Sequence, residues 1–141
     1  MIKSPGEGFV MRLLTILAGY CGAAAAGSLT FMLVAAMAGD SSFSNFGKIF
    51  PFVAMFGAVF AAPIALPVIL FSEIRKVSSW LLFAAAGLIS GLLLIVLITD
   101  PVELLTTDMF VTSLFLGTTT VAALTYWAIT WRLNPPKSAA Q

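Results

Sequence analysis

The residues with most to offer chemically in this chain are two prolines and three hydroxyls. Pro63 and Pro67 stand four apart in Ala62-Pro63-Ile64-Ala65-Leu66-Pro67, and Thr118, Thr119 and Thr120 follow one another further on. Each proline lacks an N–H, so within a helix the carbonyls of Val59 and Pro63 lose their usual donors. A kink or a locally widened turn follows, and the freed carbonyls need donors wherever water is absent. The threonine hydroxyls are candidate donors. The set reads either as a carbonyl-plus-hydroxyl ion site or gating hinge, or as a proline kink beside threonines that bond their own helix backbone.

Ionisable chemistry has almost no material. There is no histidine, which removes His-ligated haem, His-containing zinc sites and serine–histidine triads. The six acids are scattered among turns and tails, with no pair at a spacing that implies shared acid–base work. Asp100, Glu103 and Asp108 would gather a cation only weakly; helix capping and a solvated acidic turn account for them. The single cysteine, Cys21, permits no internal disulfide and reads as a small thiol packed in a helix. The expectation is a chain that is not an enzyme, with no catalytic residue, no metal site and no cofactor.

These residues are positioned by four apolar windows, Leu13–Ala38, Ile49–Ser72, Val77–Thr99 and Met109–Trp131, which contain none of the charged residues and no His, Asn or Gln. Each is 23 to 26 residues long, enough at ~1.5 Å per residue to cross a hydrocarbon core of ~30 Å. The windows predict an all-α integral membrane four-helix bundle, a single transmembrane domain over residues 1–141 with helices at about 10–38, 49–72, 77–99 and 109–131. Only 9% of the residues are charged and 60% are apolar, and the seven basic residues form no continuous phosphate-binding patch, so nucleic acid is not an expected partner. Lys3, Arg12 and Ala24-Ala25-Ala26 resemble parts of a signal peptide, but the apolar run continues well past that site, so the first window reads as a retained helix.

Loop charge sets orientation. Lys3, Arg12, Arg75, Lys76, Arg132 and Lys137 fall on one side if the termini share it, and Lys48 alone falls on the other with Asp40, Asp100, Glu103 and Asp108. Basic residues in short loops stay cytoplasmic, so both termini are expected inside, in the cell (inner) membrane. Trp80, Tyr126, Trp127 and Trp131 cluster near that side, as interfacial aromatics do, and Arg12 and Arg132 are expected to extend toward the headgroups. Phe43, Phe46 and Phe50 at helical spacing, and Asp100-Pro101-Val102-Glu103 as a helix start, predict short interfacial helices in the outside turns.

In lipid, helices attract largely through close packing of small residues. Gly19, Ala23 and Gly27 recur every four residues in the first window, and Gly87 and Gly91 form a GxxxG pair in the third. Such faces serve either internal packing or docking of another subunit. The expected role is a non-catalytic accessory, scaffold or assembly subunit, working through helix packing with a membrane-protein partner or as a homo-oligomer within the lipid bilayer. The alternative is a small oligomeric channel or transporter hinged at the proline-kinked second helix. Reporter fusions after Lys76 and after Lys137 should report the same side of the membrane, and a fusion after Lys48 the opposite one; any other pattern contradicts the charge argument.

Overall fold

The computed structural model describes residues 5–37, 46–98 and 109–133. All the regular structure in them is helical. The order is α1 (Pro5–Met37), α2 (Phe46–Arg75), α3 (Trp80–Ile98) and α4 (Met109–Trp127), which runs on into a π-helical turn at Ala128–Leu133. Each helix is long and apolar enough to cross a membrane. The four pack together as a multi-pass bundle would. α1 has 33 residues and α2 has 30, so at ~1.5 Å per residue both outrun a ~30 Å hydrocarbon core and carry their last polar turns beyond or along its edge. Residues 46–50 are continuous with α2 rather than a separate segment, and Pro51, Pro63 and Pro67 all lie inside that helix. The expected interfacial helices otherwise fall on 38–45 and 99–108, outside the described residues.

The packing is uneven. α4 sits between α1 and α3 and contacts both extensively, whereas α2 rests on α1 and barely touches α3. Glycine is the reason for the first pair of contacts. A Cβ on Gly87 would lie 2.8 Å from the Thr120 Cα and 2.9 Å from the Thr119 carbonyl oxygen, so α3 meets the α4 backbone itself. Gly91 is as tight, with the Thr119 hydroxyl 2.6 Å away. On α1, a Cβ at Gly19 would meet Thr130 Cγ2 at 2.6 Å, one at Gly22 would meet Ile129 Cδ1 at 2.6 Å, and Gly27 faces Ala122. Ala23 is buried in the same face. The glycine stripes of both helices therefore point into α4.

The tightest part of the core lies toward the end of the bundle that carries the start of α1, the α2–α3 turn and the end of α4, called here the terminal end. Ala23, Ile69, Phe83, Tyr126 and Trp131 form one buried cluster, with the Phe83 and Tyr126 rings 5.7 Å apart at 37°. Two of the aromatics expected at an interfacial belt, Tyr126 and Trp131, are thus core residues. Trp127 donates its indole N–H to the Ser78 carbonyl (2.7 Å), and Trp80 is half exposed. Cys21 is exposed on α1 instead of packed.

The α2–α3 turn is a Schellman closure. The Val77 amide donates back to the Ser72 carbonyl (3.1 Å), and Lys76 takes the left-handed conformation with φ of 52°. That position ordinarily holds glycine. Lys76→Gly should therefore raise stability by about 0.5–1 kcal/mol, read as a higher unfolding midpoint in detergent. Gly87→Leu should lower it by about 1–3 kcal/mol, because the α4 backbone cannot yield as a side chain would. Gly117→Leu is the control and should be near neutral, since no atom lies within 4 Å of its added Cβ.

Candidate functional site

Polar chemistry inside this apolar molecule collects at the terminal end, around Arg12. About two turns from its start, α1 presents Arg12 to the last turn of α2. Its Nε donates to Glu73 Oε2 at 3.0 Å and its Nη2 to Glu73 Oε1 at 2.6 Å, a two-pronged ion pair. Nη1 donates to the Thr130 carbonyl at 2.8 Å. The guanidinium carbon also lies 4.9 Å from the centre of the Trp131 ring, near enough for a cation–π attraction. Arg12 thereby joins α1, α2 and the end of α4.

Local backbone makes each partner available. Glu73 sits in the final turn of α2, held by the Schellman closure, beside Ser72, which is fully buried and donates its hydroxyl to the Ile69 carbonyl. Thr130 lies in the π-helical turn and is also fully buried. Its hydroxyl donates to the Tyr126 carbonyl (2.7 Å), the acceptor that an α-helical turn would give to the Thr130 amide. The Thr130 carbonyl has proline five residues on, at Pro135, and so no π-helical donor from that residue. The Arg12 guanidinium supplies one. Arg12 and Glu73 keep 18% and 22% side-chain exposure, so the pair lies at the margin of the apolar region and is not fully desolvated.

Sequence reading had Arg12 extending toward the headgroups and gave Glu73 no partner. The signal was available: by helix order, Arg12 at the start of α1 and Glu73 at the end of α2 share one end of the bundle. Missing was the rotation of each helix, which decides whether two level residues face one another.

The proline–threonine set is not brought together. Pro63 and Pro67 are exposed on α2, while α4 lies across the bundle from that helix. The Thr119 hydroxyl donates to the Phe115 and Leu116 carbonyls of its own helix, and the Thr118 and Thr120 hydroxyls are buried without a partner. The hydroxyl that does reach α2 is Tyr20 of α1, which donates to the Ala58 carbonyl, one residue ahead of Val59. Among the described residues, no three Asp, Glu, Cys or His side chains stand close enough to share a metal ion.

Between α2 and the α1–α4–α3 unit runs an apolar slot of about 610 Å³. It exists because α2 has no close-packed contact on the α3 and α4 sides. Ile69, Phe83 and Tyr126, exposed by 9%, 2% and 4%, form one end of its wall; Phe52 and Leu97, exposed by 61% and 72%, form the other. Along the α2 side Phe52, Phe56 and Phe60 make a ladder, with ring centres 4.7 and 6.0 Å apart. The arrangement is a blind apolar recess, floored near the polar clamp and open at the far end.

Arg12→Met should lower stability by about 1–3 kcal/mol, less than for a fully buried pair, because it strands Glu73 and the Thr130 carbonyl. Arg12→Met combined with Glu73→Met should lose less than the sum of the two single changes, a coupling that a double-mutant cycle in detergent measures. No protein-family model, curated protein or solved structure matches the chain.

Proposed function

We propose that this chain is a non-catalytic accessory or assembly subunit of a cell (inner) membrane complex, and that α2 is the helix it offers to its partner. In this reading both termini and the α2–α3 turn are cytoplasmic and the opposite turns carry short interfacial segments, following the loop charges. The observation that carries the proposal is the one-sided attachment of α2. Val59, Phe60, Leu66, Leu70 and Ile74 are each about three-fifths exposed or more, while the helix is held mainly by α1. A helix bound along a single face keeps apolar area free for another membrane helix. The glycine faces of α1 and α3 are occupied by α4, so they do not supply the docking surface.

The slot favours a second reading, a channel or transporter, but narrows its cargo. Of its wall hydroxyls, those of Tyr20, Ser90 and Thr119 donate to backbone carbonyls while those of Thr118 and Tyr126 have no partner; so few hydroxyls in an otherwise apolar wall cannot replace the water around an ion or a sugar. A carrier of this design would take an apolar solute.

Photo-crosslinking decides between the two. With benzoylphenylalanine at Leu66, a discrete cross-linked protein should appear in membranes; the same probe at Leu81, on α3, should give far less. Loss of that product together with solute flux in reconstituted vesicles would replace the accessory reading by the carrier.

A further inference from the structure

We infer that the apolar slot is a binding site for one hydrocarbon chain of a membrane lipid, lying with its tip at the floor near the polar clamp and its headgroup toward the opposite end. The inference goes beyond the accessory role and does not depend on it.

Shape selects the occupant first. From Phe83 at the floor to Leu97 at the mouth is fourteen residues of α3, or ~21 Å. The slot's volume of about 610 Å³ is in the range of sites that hold one small ligand rather than a helix of that length. A partner helix can lie against α2 but cannot occupy the slot. A single extended chain can. Exposure along the wall gives the direction, since Phe52 and Leu97 at the mouth are more than three-fifths exposed and Ile69, Phe83 and Tyr126 at the floor are less than a tenth.

Chemistry selects it next. The walls are mostly phenylalanine, alanine, leucine, isoleucine, valine and glycine; of the hydroxyls among them, those of Tyr20, Ser90 and Thr119 donate to carbonyls and those of Thr118 and Tyr126 are too few to dress a polar guest. A polar guest would leave its own groups unpaired there, while a hydrocarbon exchanges one apolar surrounding for another and fills contacts that an empty recess lacks. The weak packing of α2 on α3 leaves the side of the slot accessible to lipid tails.

The test uses the full chain in nanodiscs of phosphatidylcholine containing a trace of phosphatidylcholine with a diazirine at the end of one acyl chain. After photolysis, mass spectrometry should find adducts at floor residues such as Ile69 and Phe83, which annular lipid cannot reach. Gly57 lines the slot, and an added Cβ there meets nothing nearer than the Ser28 hydroxyl at 3.8 Å. Gly57→Phe, whose Cβ has room, should therefore put a ring into the slot and lower floor labelling by about tenfold or more, equivalent to tenfold or greater loss of occupancy. Its unfolding midpoint should match that of the parent; if it does not fold, Ala61→Phe replaces it. Gly117→Phe, away from the slot, should leave labelling unchanged. Adducts confined to exposed positions such as Leu70 and Leu81 would overturn the site. So would floor labelling that survives Gly57→Phe, or a protein cross-link across the slot in place of lipid.

Discussion

Two helices in lipid gain little by burying apolar surface, so they hold together only as closely as their backbones can approach. In this protein α4 is the helix that both neighbours approach without an intervening side chain. Gly87 and Gly91 bring α3 onto the α4 backbone, and Gly19, Gly22 and Gly27 bring α1 against its side chains. Those contacts make α1, α4 and α3 one packed unit. α2 has three in-line prolines and no comparable glycine contact with α4, and it remains attached by α1, Tyr20 and the ion pair. The rest of the architecture, including the slot, follows from that inequality.

The polar clamp compensates where packing is absent. An arginine at the edge of an apolar bundle has to be satisfied, and its planar fork matches a carboxylate and a carbonyl at the same time. Arg12 uses Glu73 from α2 and Thr130 from the end of α4, with Trp131 covering one face. The π-helical turn provides the carbonyl, and the proline at position 135 has no N–H to give to it. The bundle is thus pinned at the terminal end and loosely closed toward the other, which is the geometry of a recess with a floor and a mouth.

α2, the helix with the fewest contacts to the rest of the bundle, carries exposed apolar side chains along its length and forms one wall of the slot. Pro63 and Pro67, which suggested a hinge coupled to threonines, lie on the exposed side of that helix. The hydroxyl reaching its backbone comes from α1, because α4 is on the far side of the slot.

The sequence by itself determined that there are four helices long and apolar enough to cross a membrane, because the absence of charge over more than twenty residues is a one-dimensional property; it did not fix their ends, since α1 starts at Pro5 and α2 runs on to Arg75. It also marked Gly19, Gly27, Gly87 and Gly91 as close-approach positions, since a missing side chain has few other uses in a lipid-facing helix. It could not say which helix they approach, that Arg12 and Glu73 face one another, or that Trp131 is buried. Those depend on the rotation and neighbour of each helix, and helices apolar on every side carry almost no periodic signal to set either. Only the tertiary structure decided that α4 is central and α2 peripheral, and the slot follows from that choice, because it is lined by residues from all four helices and belongs to none of them.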